Sequence, residues 1–373
     1  MPAELIEKIV QKAIQIQQIP APTFEEKRRA QFVQDGFVAE GLSQVEMDGD
    51  GNVFACLPGA DSDHLPLVVT AHTDTVFPAG TDLSVTRENG KVHGPGIGDN
   101  SLGVAGLYGL VWALREQNIQ LQGDLWLAAN IGEEGLGDLK GMKAVYERFG
   151  NQALGYLVLE GLALGRIYNR GLGVRRYRIS VETVGGHSWV DYGNPSAIHE
   201  LVLLTSQILG LRTPQRARTS MNVGKISGGV SINTIAPHAL LELDLRSESG
   251  RVLNNLARKV EGLVRVAEHP GARYTCEVIG DRPFGEVAPA DPLVQAGIMA
   301  LKAQGLEAIL EIGSTDANIP LSHGVPAICI GLTTGGGAHT TSEFLEIEPL
   351  SKGLAQLLDV VQSAYRNNQL SYA

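Results

Sequence analysis

The chain has 373 residues, of which 43% are apolar and 19% charged, and a formal charge of −11. That length favours two domains over one simple core, and a net negative charge without any basic run argues against broad nucleic-acid binding. No run approaches the ~18 apolar residues of a membrane span, and the three widely separated cysteines, Cys56, Cys276 and Cys329, contain no CxxC pair and read as buried structural thiols rather than metal ligands.

The opening residues, MPAELIEKIVQKAIQIQQIP, read as an amphipathic helix. They lack the continuous apolar stretch of a signal peptide, so the cytoplasm is the expected location. Apolar strand-like runs at 53–57, 67–71, 123–129 and 156–159 alternate with helical patterns over 102–117 and 141–149, which predicts α/β architecture. Near Gly171 the texture changes. RRYRISVETVGG alternates polar with apolar residues, as a half-exposed strand should. A helix is expected to run to about Leu209, followed by strands at 220–226 and 239–246, a helix at 250–268 and a strand at 273–279. That order is β-α-β-β-α-β, the ferredoxin-like split motif. Residues 1–172 and 285–373 are therefore read as one domain, interrupted by an inserted α+β ferredoxin-like domain at 173–284. The α/β pattern resumes with a helix at 291–304, strands at 308–312 and 326–330, and a closing helix at 348–365.

Five segments end an apolar run on polar groups. VVTAHTDTVF carries His72 and Asp74, GPGIGDNSLG places Asp99 in a glycine-rich turn before a helix, LAANIGEEGLG ends on Glu133 and Glu134, YLVLEG ends on Glu160, and GGGAHTTSEF holds His339. In an open α/β sheet the carboxyl ends of the strands face a common crevice. Acids gathered there would repel one another and lose hydration, and divalent cations remove that penalty. His72, Asp99, Glu134, Glu160 and His339 are too many ligands for one tetrahedral ion, which points to two metals ~3.5–4 Å apart in a hydrolytic clamp. Imidazole with carboxylate suits zinc, with cobalt or manganese as alternatives. Asp74 lies within reach of the other ring nitrogen of His72 and would fix its tautomer. Glu133, beside a ligand, is the natural general base. Singly, each of these residues reads as a surface group or a cap, and Asp99 alone as a helix N-cap. Together, with all five closing apolar runs, they point to one shared site.

The ordered set AHTDTV, GDN, GEEG, VLEG, GGHS and AHTTSE resembles the dinuclear zinc exopeptidase and deacylase superfamily that includes peptidase T, glutamate carboxypeptidase and acetylornithine deacetylase. The resemblance covers nearly the whole chain, and the loops around LTTGGGAHTTSE look most like those of peptidase-T-like members. It implies a phosphorylase/hydrolase-like mixed-sheet catalytic domain with the inserted domain as a lid that also pairs two copies into a homodimer. Asp99 would bridge two metals, with His72 and Glu160 on one and Glu134 and His339 on the other. Glu133 would be the base, and Asp74 would orient His72. His187 in VGGHSW would bind the reacting carbonyl oxygen, often from the partner subunit; on its residues alone it reads as a surface histidine at a turn. Asn233 in SINTIAP and Arg246 in LELDLRS match substrate-contacting positions, although Arg246 could equally pair with Asp244 or another acid. GSTDANIP matches a loop beside the site, where Asp316 reads as a cap of the following helix. The remaining histidines have no motif around them.

One departure stands out. Many relatives follow the bridging Asp with Asp or Met and then Lys, whereas Asn100 and Ser101 follow here, so the hydrogen bonds around Asp99 are expected to differ. The expected activity is metal-dependent hydrolysis of an amide bond in small peptides, of aminopeptidase, dipeptidase or tripeptidase type. An N-acyl amino acid deacylase or a carboxypeptidase on the same site is the alternative, and a non-catalytic metal-binding protein is the alternative from another class.

Overall fold

The strand Leu67–His72 is buried along its whole length, as a strand covered on both faces must be. Leu67, Val69 and Ala71 join one hydrophobic core, and Val68 joins another on the opposite face. The period-two geometry of a strand produces that division. In the computed structural model, which describes residues 1–61, 63–214 and 216–368, this strand is central to a nine-stranded mixed sheet.

The sheet runs in the order Ser43–Met47, Val53–Leu57, Leu125–Asn130, Leu67–His72, Gly155–Glu160, Ala327–Gly331, Arg166–Gly171 and Gly285–Glu286, with Ile309–Gly313 also paired to Arg166–Gly171. Four neighbours, Leu125–Asn130, Leu67–His72, Gly155–Glu160 and Ala327–Gly331, are mutually parallel. In register, His72 lies opposite Asn130 and Glu160 opposite Gly331. The chain therefore leaves all four strands at one edge, and that edge positions the site.

The helix Gly103–Glu116 is buried over most of its length. Its glycines permit close approach: a Cβ on Gly109 would stand 2.6 Å from Ile9 Cδ1. Ala3–Gln17, with Leu5, Ile6, Ile9, Val10, Ala13 and Ile16 on one face, packs into the same core. The amphipathic pattern in the first twenty residues is this helix. Cys56 and Cys329 are buried, whereas Cys276 is only half-buried, so the buried-thiol expectation is corrected at that position.

Contacts divide the chain into two units, Met1–Gly171 with Gly285–Ala373, and Leu172–Phe284. The last residues of the expected first domain, 369–373, lie outside the described residues. The second unit has its own core, built from Tyr177, Ile179 and Val181, the inner residues of His238–Ser247, and one face each of Ala197–Leu209 and Gly250–Ala267. Its four strands run in the order Thr219–Gly228, His238–Ser247, Gly173–Thr183, Ala272–Arg282, all antiparallel. Counted along the chain that order is 2-3-1-4, the ferredoxin-like arrangement. Among the described residues no helix is long and apolar enough to cross a membrane.

Candidate metal centre

His72 is the last residue of its strand and is 1% exposed. Its Nδ1 faces two acceptors, the main-chain oxygen of Asp74 at 3.1 Å and Asp74 Oδ1 at 3.4 Å. Neither can donate, so in the neutral ring Nδ1 carries the proton and Nε2 keeps its lone pair. Nε2 faces Asp99 Oδ1 at 3.2 Å and Glu160 Oε2 at 3.7 Å.

The other oxygen of Asp99 looks the opposite way. Oδ2 lies 3.1 Å from His339 Nε2, and the same nitrogen lies 3.1 Å from Glu134 Oε1. One carboxylate thus stands between two imidazoles, each accompanied by a glutamate. Ligand atoms of His72, Asp99 and Glu134 all lie within 4.8 Å of one another. The five residues come together from five segments remote in sequence.

The cluster gathers carboxylates around its two imidazoles, and the charges shift one another. Burial pushes the Glu160 carboxyl up to about 7, and the charge of Asp99 adds to this. Hydrogen bonds to Asp99 and Glu134 hold the His339 imidazole up to about 10. Burial would lower the His72 ring, yet Asp74, Asp99 and Glu160 together hold it well above its ordinary value. Nitrogen and oxygen donors facing one another around a shared carboxylate fit a pair of divalent cations.

The surrounding hydrogen bonds explain how the acids are held. Asp74 Oδ1 accepts the N–H of Glu133 and Oδ2 that of Glu134, each at 2.9 Å, while Oδ2 also accepts the Thr23 hydroxyl at 2.9 Å. Asp74 therefore does more than face His72: it anchors the loop that carries both glutamates. Glu133 is buried.

Asn100 shows what the departure after Asp99 does. Its Nδ2 donates to Leu159 O at 2.8 Å, and its Oδ1 accepts from Gly103 N at 3.1 Å and Gly161 N at 2.9 Å. The residue after the shared carboxylate thus ties its loop to both sides of Glu160. The peptide bond between Asp99 and Asn100 is cis.

Several residues of the centre escaped sequence reasoning. Glu343, fully buried, accepts the N–H groups of Gly96 at 2.8 Å and of Gly98 and Asp99 at 2.7 Å each. Burial nevertheless pushes its carboxyl up to about 7. Its only signal was its place in the HTTSE run. Arg29 is buried too, and its guanidinium donates to Ile19 O and to Thr73 O at 2.8 Å, next to His72. In sequence it stands in the charged run EEKRR, which gives no sign of burial. Asp316 reads in sequence as a cap of the following helix. The helix Asn318–Ser322 has no side-chain cap, and the buried Asp316 instead accepts from Asn130 Nδ2 at 2.7 Å. Asn130 O in turn accepts the Thr73 N–H at 2.7 Å.

The remaining expected residues lie in the second unit. His187 Nδ1 accepts the N–H groups of Trp189 at 3.2 Å and Val190 at 3.3 Å, which leaves the proton of a neutral ring on Nε2 as an outward donor. Asn233 is exposed; its main-chain oxygen accepts Ser188 N at 3.0 Å and its Oδ1 accepts the Ser231 hydroxyl at 2.8 Å. Arg246 Nε donates to Asp244 Oδ2 at 2.7 Å, the structural pairing that its sequence also allowed.

Residues 68–363 match the model of peptidase family M20/M25/M40. The chain belongs to that family. A probable carboxypeptidase of Aspergillus flavus is 26% identical over 304 residues, covering 72% of this chain and 70% of that one. Among solved structures, a tripeptidase from Staphylococcus aureus superposes with a TM-score of 0.81 at 20% identity, over 97% of this chain and 99% of its own. The aminopeptidase PepT of Bacillus cereus gives 0.78 at 21%, over 96% and 98%. At these identities the likenesses concern the fold. This family member has the mixed α/β fold of those peptidases, and its His72, Asp99 and Glu134 form a group able to hold metal.

Proposed function

We propose that this M20-family hydrolase cleaves an amide bond of small peptides with two divalent cations at the strand-end cluster. The observation that carries this reading is Asp99, whose two oxygens face His72 and His339 separately. His72 and Glu160 would hold one ion and Glu134 and His339 the other, with Asp99 between them; zinc fits these donors, and cobalt or manganese are the alternatives. When bound, the ions would polarise the scissile carbonyl and make an attacking water more acidic.

The chain's own residues supply the remaining chemistry. Glu133 removes the proton from the attacking water and returns it to the leaving amine nitrogen. Asp74 sets the position of that base through its main chain, and its acceptors beside Nδ1 keep the His72 lone pair on Nε2. His187 Nε2–H is the donor proposed for the carbonyl oxygen as charge develops on it. Asn233 and Arg246 are proposed to bind substrate, Arg246 as the partner of a carboxylate. Residues 173–284 are proposed as a lid and as the surface of a homodimer. In support, Val202, Leu203 and Ile226 stand exposed, Ile226 on a strand at the sheet edge. The cytoplasm is the proposed location, to be checked by fractionation.

The test is hydrolysis of di- and tripeptides against N-acetyl and N-succinyl amino acids by protein loaded with zinc, cobalt or manganese. Peptide turnover abolished by a chelator and restored by metal is the expected result. Turnover confined to N-acyl amino acids, or release of carboxyl-terminal residues alone, would favour the deacylase or carboxypeptidase reading, the latter suggested by the Aspergillus relative. Bound metal without turnover on any of them would mark a non-catalytic metal-binding protein.

A further inference from the structure

Phe24 occupies a backbone conformation that its side chain makes unfavourable. Its φ is 80°, and it is the third residue of a turn closed by Glu25 N–H to Pro22 O at 2.8 Å. Glycine or asparagine takes that position at little cost, while a bulky residue there is strained. The ring does not repay the strain by packing, because Phe24 is 64% exposed.

The turn is bound to the metal centre from both sides. Thr23 donates its hydroxyl to Asp74 Oδ2 at 2.9 Å and its N–H to Thr75 O at 3.3 Å. On the other side, Glu26 Oε1 accepts Phe24 N–H at 3.0 Å and Gly132 N–H at 3.2 Å, directly before Glu133. Asp74 Oδ2 is shared by Thr23 and Glu134, so the turn and the loop of the base are held on one carboxylate. Two other apolar side chains are exposed on these anchored segments: Val76, next to Thr75, at 39%, and Leu136, two residues beyond Glu134, at 49%. Strain held in place by surrounding hydrogen bonds is characteristic of ligand clamps.

We propose that Phe24, with Val76 and Leu136, forms an apolar subsite at the rim of the metal centre that receives an apolar side chain of the substrate. Phe24 is thus a specificity-determining residue, and its ring serves substrate choice rather than folding. This rests on the peptide-hydrolase reading above, because that reading supplies the substrate class.

The test compares wild type, Phe24→Gly and Phe24→Trp, loaded with metal, on the matched dipeptides Leu-Gly and Ala-Gly and on Gly-Leu and Gly-Ala. Phe24→Gly should melt no lower than wild type, because glycine relieves the turn. In the order the wild type prefers, its ratio of kcat/KM for the leucine over the alanine peptide should fall about tenfold, the scale of discrimination an apolar pocket provides. The fall should lie mainly in KM, and Phe24→Trp should restore most of it. An unchanged ratio, or an equal loss on both peptides, overturns the subsite. Calorimetric binding of the same peptides separates the two proposals. A wild type that hydrolyses none of them yet binds the leucine peptide more tightly through Phe24 overturns the activity and supports the subsite; one that shows no such preference overturns both.

Discussion

Asp74 and Glu134 are joined by a hydrogen bond of 2.9 Å from main-chain N–H to carboxylate, and Glu133 makes the same bond to the other oxygen of Asp74. A single carboxylate therefore spans two consecutive amides, one on the proposed base and one on a proposed metal ligand. In Asp74→Asn, one of those N–H groups would face an amide donor instead. We expect metal affinity or kcat/KM to fall about 10–100-fold, as for loss of other residues that orient metal ligands. Metal titration followed by steady-state kinetics reads this. An Asn variant with wild-type affinity and rate would show that the clamp contributes nothing.

Glu133 is proposed to move protons and to ligate nothing. Glu133→Gln should lower kcat by at least about 10²–10⁴-fold, the scale of general-base catalysis. Elemental analysis should still find the wild-type amount of metal. Loss of metal together with activity would instead make Glu133 a ligand.

Glu343 gathers three N–H groups of the Asp99 loop. Glu343→Ala leaves them without that acceptor in a buried position, where each unsatisfied group costs about 1–3 kcal/mol. Chemical denaturation should show a loss of several kcal/mol or a misfolded protein. Glu343→Gln preserves shape and one acceptor oxygen, so it should fold better than the Ala variant and bind metal more weakly than wild type. Wild-type stability in both variants would mean the loop is held by other contacts.

Asn100 holds its loop through both ends of its amide, and an Asp in its place should be harmful. Its Nδ2 donates to Leu159 O, and a carboxylate oxygen would repel that carbonyl. We expect Asn100→Asp to destabilise the protein by about 1–3 kcal/mol. A thermal melt of the two proteins at matched metal concentration decides it.

Removal of metal should also be visible without substrate. Cations that bind only the folded protein add stability as RT ln(1 + [L]/Kd), about 2.7 kcal/mol at a hundredfold excess over Kd. A chelator should lower the melting temperature, and zinc or cobalt should raise it again. His72→Ala and His339→Ala should each shrink that shift. An identical melt with and without chelator would remove the cation pair.

The elements were legible because burial writes a period into the sequence. The run at 53–57 became the strand Val53–Leu57 and that at 102–117 the helix Gly103–Glu116. The β-α-β-β-α-β order of the second unit was readable because its strands alternate: His238–Ser247 turns every second residue into the core. The five-residue cluster was legible because carboxylates and imidazoles at the ends of apolar runs are conspicuous. Glu343, Arg29 and Asp316 were not, because their partners are backbone groups or amides distant in the chain, and nothing local distinguishes such a residue from a solvated charge. Phe24 gave no signal either, since a φ of 80° leaves no mark on an amino-acid string.

From the sequence alone came the identity of the donors, their order along the chain and the chemistry that nitrogen and oxygen ligands favour. Tertiary structure decided which oxygen of Asp99 faces which histidine, what Asp74 holds, and why Asn100 suits its place. The division has a physical origin. Hydrophobic burial is set by residue type and spacing, whereas the direction of a hydrogen bond depends on how parallel strands bring distant peptide groups to within 3 Å or so of one another.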